Sequence, residues 1–177
     1  MARGKAWKFG HDLERDSAIF PFKYVLEAGR GVPLEKLAPH VLEAVNPEFG
    51  LKVQRGDFLV VGRNFGYVKS HKEGIGCLKI LGIAAIIADS FLKNLVKNGV
   101  YFGLPLLTGD GVYDMIDHGD ELDADLLTGS INNVSKGKII KAELVISPSH
   151  PLYRIVQAGG QIEYVKKRVA ALRHTNE

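Results

Sequence analysis

Cysteine is nearly absent: Cys77 stands alone among 177 residues. The chain can therefore close no disulfide within itself, and it cannot build a cysteine-rich zinc site or an iron-sulfur cluster from its own side chains. Among Ile75, Leu78 and Ile80, Cys77 reads as a buried thiol in a helix. Histidine is scattered over positions 11, 40, 71, 118, 150 and 174, and no two share the short helical spacing that metal sites favour. No apolar run approaches the ~20 residues that span a bilayer. Met1-Ala2-Arg3-Gly4-Lys5 leads into a strand-like segment without the apolar core of a secretory signal. A cytoplasmic protein is the expectation. Charge of one sign is scarce as well. With a net charge of +3 and no long block of lysine or arginine, neither nucleic acid nor a membrane surface is an expected partner. Lys166-Lys167-Arg168 reads as the solvated, dipole-favoured end of a last helix. Asp110, Asp114, Asp117, Asp120 and Glu121 lack the EF-hand spacing and read as a turn and strand entry.

What is present suits one folded unit over residues 1–177, with a C-terminal helical segment at about 150–173: the composition is 46% hydrophobic and 24% charged. Ala6-Trp7-Lys8-Phe9 predicts a first strand, followed by a polar loop from His11 to Asp16. Ile19 to Tyr24 reads as extended, because Pro21 disfavours helix at the residue before it. From Leu34 to Val45 the apolar spacing predicts an amphipathic helix that Pro39 threatens to split. Asp57 to Val61 and Ile83 to Ala88 read as buried strands, alternating with helices at about Ser70 to Leu81 and Ser90 to Lys97, the second ending in a left-handed cap at Asn98-Gly99. Leu104 to Leu107 is a further short apolar run. That alternation predicts parallel strands with helical crossovers. From Glu121 onward, Leu122 to Leu126, Ile131 to Val134 and Ile139 to Val145 are separated by turn residues and read as antiparallel strands. Pro148 and Pro151 precede a final helix pair broken at Gly159-Gly160.

Between the strand at 57–61 and the next helix lies the most informative segment, a polar loop bounded by Gly62 and Gly74. A strand, a polar loop and a helix in that order offer free backbone N–H groups to an anion. Gly62 and Gly66 shape the loop, Asn64 tolerates a left-handed turn, and Ser70 followed by Glu73 makes a small capping box.

Several stretches resemble the small subunit of 3-isopropylmalate dehydratase, the counterpart of the aconitase swivel domain. They are Gly56-Asp57 with Gly62-Arg63-Asn64-Phe65-Gly66, Leu78 to Ile83, Ile86 to Phe91, Lys97-Asn98 through Gly103 to Leu107, Gly119 to Leu122, and Gln157 to Lys167. They keep the family's order over nearly the whole length. The resemblance implies an α/β fold, a swivelling β/β/α three-layer domain, rather than an open doubly wound sheet.

Within the resemblance, the catalytic loop departs from the family pattern. Where such proteins continue as Cys-Gly-Ser-Ser-Arg-Glu-His-Ala, this chain has Tyr67-Val68-Lys69-Ser70-His71-Lys72-Glu73-Gly74, so Ser70 is the one match. The resemblance implies a proton-transfer role for the first serine position, here Lys69, with Ser70 beside it. It implies a carboxylate grip at the arginine position, here His71. A lysine serves as base when burial or neighbouring cations depress its pKa, and His71 and Lys72 stand close by. A second family element, leading from an acidic segment to Pro-Ala-Arg-Tyr, is matched by Asp12 to Asp16 and Pro21-Phe22-Lys23-Tyr24, which puts Lys23 in place of a second arginine. Arg63, Asn64 and Lys72 complete the candidate substrate contacts. The implied activity is that of a hydro-lyase subunit: the chain binds no cofactor itself, closes over an aconitase-like large subunit holding an iron-sulfur cluster, and acts on a small di- or tricarboxylic hydroxy acid. The competing reading is a non-catalytic swivel-domain relative that binds a carboxylate metabolite or only a partner.

Overall fold

The computed structural model describes residues 1–66 and 71–174. The first strand, β1 (Ala2–Lys8), starts four residues before the expected Ala6. Its two halves have different neighbours: Ala2–Lys5 pair antiparallel with a late strand, while Ala6–Lys8 pair parallel with the next one. A five-residue wide turn, Arg15–Ile19, occupies the end of the expected polar loop. Helix α1 (Phe22–Gly29) then corrects the extended reading of Ile19 to Tyr24. Pro21 itself is extended (φ −52°, ψ 134°) and stands just outside the helix, where its missing N–H costs nothing.

Pro39 does split the helix expected over 34–45. The chain forms α2 (Leu34–Leu37), one 3-10 turn (Ala38–His40) and then an extended Val41. After the short α3 (Phe49–Lys52) come β2 (Phe58–Val61), α4 (Glu73–Leu81) and β3 (Ala85–Ala88). Helix α4 has Lys72 at its N-cap with no side-chain cap bond; the expected Ser70–Glu73 capping box rests on Ser70, which lies outside the described residues. Helix α5 (Lys93–Phe102) runs through Asn98-Gly99 instead of ending there, and the left-handed cap is Gly103 (φ 64°, ψ 38°). At position 99 a Cβ would lie 3.0 Å from Leu106 Cδ1 and 3.3 Å from the Leu104 carbonyl. The glycine that reads as a stop thus serves close helix-to-strand packing.

The remaining elements are β4 (Leu106–Thr108), α6 (Val112–Met115), β5 (Glu121–Ala124), β6 (Ser130–Asn133), β7 (Lys138–Lys141), β8 (Glu143–Leu144), α7 (Tyr153–Ala158) and α8 (Gln161–His174). Among the described residues the strands form one sheet in the order β7-β6-β5-β1-β2-β3-β4-β8. Strands β1 to β4 run parallel and the others join antiparallel. The expected strand Ile139 to Val145 breaks at Ala142. Its first half pairs with β6 and its second with β4, at opposite ends of the strand order. One residue joins those ends, so the sheet must curl until its edges meet.

Curling gives the sheet an inside and an outside. Phe58 and Val60 face inward with Ala6, Ile87, Leu107, Leu122 and Ile131, all buried. Their neighbours Leu59 and Val61 point outward onto Leu42, Phe49, Ile75 and Leu78 beneath the helices. Strand alternation on a sheet covered on both faces thus yields two β layers and one helical layer. Each such side chain taken from water contributes roughly 1.5–3 kcal/mol.

Two carboxylates, Asp57 buried and Asp120 partly buried, pin the sheet. Asp57 accepts bonds at 2.9 Å from the backbone N–H groups of Lys5 and Gln54 and from Trp7 Nε1. Asp120 accepts from Asn133 Nδ2 at 2.7 Å and from the Asp117 N–H at 2.8 Å, and Lys136 Nζ stands 3.4 Å away. Burial alone would raise the Asp120 pKa, but those bonds and the lysine outweigh it and hold the carboxyl below its ordinary 3.8. A folded-state value below the unfolded one stabilises above the unfolded value and is lost as pH falls through the folded one. The urea midpoints of the wild type and of Asp120→Asn should therefore differ at neutral pH and converge as pH drops below about 4. A constant gap down to acid pH would remove this role.

Candidate functional site

Because β1, β2 and β3 are parallel, their carboxyl ends lie on one edge, where α/β sheets commonly bind ligands. The loops that follow them are knitted together there. Asn64 is left-handed (φ 57°), as is Asp12 (φ 54°). Asn64 N–H donates to Ser90 Oγ and its Nδ2 to Asp12 Oδ1, each at 2.8 Å. The Asp12 N–H reaches the Arg63 carbonyl at 2.9 Å, and the Arg63 N–H reaches His11 Nδ1 at 3.1 Å. Phe65 forms a bridge with Phe91 and is buried. Gly66 (φ 86°) sits against Leu95, whose side chain a Cβ would overlap, and its N–H bonds the Leu13 carbonyl at 3.2 Å. The loop-shaping roles expected for Asn64 and Gly66 thus have a geometric basis.

On the far side of the loop, His71 Nε2 lies 3.7 Å from Asp16 Oδ2, and its ring meets that of Phe22 at 5.4 Å. Asn98 Nδ2 holds the His71 carbonyl at 3.3 Å. Lys72 Nζ caps the Tyr101 ring, 4.4 Å from its centroid. Asp16 Oδ1 and Glu73 Oε2 are buried, and neither has a hydrogen-bond partner among the described residues. Lys69 and Ser70, the candidate proton-transfer residues, lie outside the described residues. Arg63 is exposed and faces Asp12, Nε to Oδ2 3.7 Å.

Lys23 is drawn toward a different group. Its ammonium lies 3.2 Å from Glu43 Oε1 and over the Tyr24 ring, and bonds to Tyr24 and Glu43 raise its pKa above the usual lysine value. Tyr24 Oη donates to Glu43 at 2.9 Å, while the His40 ring stacks on Tyr24 with centroids 4.3 Å apart. Lys23 is thus one residue from Phe22, which touches His71, but its ammonium is committed to Glu43. Cys77 is buried and its thiol is pushed up to about 12 by burial, then by Glu73 and Glu35, which makes it a packing residue rather than a nucleophile.

Sequence reasoning passed over His11, Asp12, Asp16, Ser90 and Asn98 as individual site residues. Only Asp12 and Asp16 carried a signal, as the ends of the acidic segment. The others become site residues through long-range pairing that no local pattern marks.

A curled β/β/α domain with its loops gathered at the parallel-strand edge is of the aconitase swivel class. No family model matches the chain. It is 36% identical over 170 residues to the isopropylmalate/citramalate isomerase small subunit of Methanocaldococcus jannaschii, covering 96% of each. It is 39% identical over 164 residues to 3-isopropylmalate dehydratase small subunit 2 of Archaeoglobus fulgidus, covering 93% of this chain and 94% of that one. The crystal structure of 3-isopropylmalate dehydratase from Methanocaldococcus jannaschii superposes with a TM-score of 0.86 at 33% identity, over 98% of both chains. The chain belongs to the 3-isopropylmalate dehydratase small-subunit family.

Proposed function

We propose that residues 1–177 act as one swivel domain, with the C-terminal segment at about 150–173 included in it, and complete the active site of an aconitase-like large subunit. The substrate is a small di- or tricarboxylic hydroxy acid, and the reaction is its reversible dehydration. One observation carries this reading: three loops of the domain are locked to one another at the parallel-strand edge around a left-handed Asn64, with the basic side chains of Arg63 and His71 facing Asp12 and Asp16 in the loop after β1. Such a frame holds positive charge in place for a polyanion.

In this division of labour the partner holds the iron-sulfur cluster. The cluster supplies Lewis-acid assistance to the leaving hydroxyl. This chain supplies the rest. Lys69, with Ser70 beside it, takes the proton from the carbon next to a substrate carboxylate, and His71, Lys72 and Arg63 bind the carboxylates. Asn64 is a further substrate contact, and Lys23 joins the site if the substrate displaces it from Glu43.

Among the described residues no helix is long and apolar enough to cross a membrane, and we place the complex in the cytoplasm. The test is reconstitution with an aconitase-like large chain, followed by dehydration assays on isopropylmalate, citramalate and citrate. Turnover of at least one acid by the pair, and by neither chain alone, is the expected result. A cluster-loaded complex that binds these acids and turns over none would leave a non-catalytic carboxylate-binding module instead.

A further inference from the structure

At the opposite edge of the sheet, where the chain enters β3 and β4, a crevice of about 370 Å³ opens under α7. Pro105, Leu126, Leu144 and Val156 give it apolar walls, Tyr153 lies at its side, and Lys79 reaches into it from the last turn of α4. Lys79 is half-buried and gives a 2.8 Å hydrogen bond to the Gly103 carbonyl. An ammonium has three N–H donors, so this bond leaves two. Among the described residues no carboxylate forms an ion pair with it. Its own burial and the nearby Arg55 guanidinium both disfavour the charge and hold its pKa below the usual lysine value. A half-buried cation without a counter-charge is costly, and an arriving anion would relieve that cost.

We propose that this crevice binds a small aliphatic monocarboxylate, its head on Lys79 and its tail against Pro105, Leu126, Leu144 and Val156. An apolar cavity with one convergent charge is the usual form of a small-molecule site. The walls select against a second carboxylate, which would be stranded on leucine and proline. The ligand therefore differs in chemistry from a di- or tricarboxylic substrate, and its site lies at the other end of the parallel strands.

The test is a titration of the full chain with 3-methylbutanoate, followed by calorimetry and amide chemical shifts. Saturable binding with shifts centred on Lys79 and Val156 is expected. The neutral isostere 3-methylbutanamide, tailless acetate and the dicarboxylate methylsuccinate should each bind at least about tenfold more weakly, the scale of one charge-assisted hydrogen bond. Lys79→Met should cost a similar factor, and Val156→Trp, which keeps the lysine but fills the crevice, should abolish binding. The two variants act by different routes, so a misfolded one leaves the other decisive. Equal binding of the amide, indifference to a folded variant, or shifts centred on the loops after β1 to β3 would overturn the proposal. Loss of binding in the complex with the large subunit would overturn it in favour of a partner side chain. No turnover is measured, so the result stands apart from the hydro-lyase reading.

Discussion

Replacing His71 with alanine is expected to lower kcat/KM of the reconstituted pair by roughly 10²- to 10³-fold, the scale seen when one preorganised charge-stabilising donor is removed. His71 stands where the family carries an arginine, and the residue is held at three points, two on its ring and one on its backbone. Asp16 faces Nε2, the Phe22 ring lies against it, and Asn98 fixes its backbone carbonyl. A side chain held this way loses little freedom when a carboxylate arrives. His71→Arg supplies the diagnostic comparison. A permanent fork at the same position should keep activity within about tenfold of wild type if the role is carboxylate binding. Near-normal turnover in His71→Ala would remove the assignment. If Ala and Arg fail equally, the residue positions the loop instead. The protein should stay folded in both variants, because the ring is part-exposed and lies outside the two apolar cores.

The largest loss of stability is expected from Asp57→Ala, about 3–5 kcal/mol in urea unfolding of the isolated chain. Asp57 is 5% exposed and accepts three bonds, two from backbone N–H groups and one from the Trp7 indole. Alanine would strand all three donors where β1 and β2 begin to pair. A loss of that size is a large part of the ~5–15 kcal/mol that holds a typical domain together. Asp57→Asn retains the volume and one acceptor oxygen but turns an amide toward a donor, so an intermediate loss is expected. A change below about 1 kcal/mol in the alanine variant would show that water enters and satisfies the donors. Neither substitution touches the loops at the other edge, so the folded fraction should bind substrate as before.

The parallel layer was legible because its strands are short apolar runs with no competing period. Phe58 to Val61 and Ala85 to Ala88 are buried on both faces and read correctly as such. The antiparallel half was legible from its turns, Thr128-Gly129 and Lys136-Gly137, which separate β5, β6 and β7 as expected. Errors arose where tertiary contact overrides a local signal. Gly99 looks like a helix stop but is needed by Leu106, and Ala142 sits in an apolar run whose two halves serve opposite sheet edges. Pro21 illustrates a rule applied one residue too far: it restricts the residue before it, while the helix begins just after it. At the site, Asn64 and Gly66 were readable because a left-handed backbone selects residue types. Ser90 and Asn98 were not, since a hydroxyl or amide that meets its partner across the fold has no sequence signature.

The split allegiance of β1 bears on how the protein comes to be folded. Ala6–Lys8 wait for Phe58–Val60, and Ala2–Lys5 wait for Glu121–Ala124, so β1 is completed only when β5 has been made. Non-local pairing of this kind slows folding. A nascent chain holding β1 without β5 presents half of a central strand unpaired, which makes that interval the time when chaperone protection matters most.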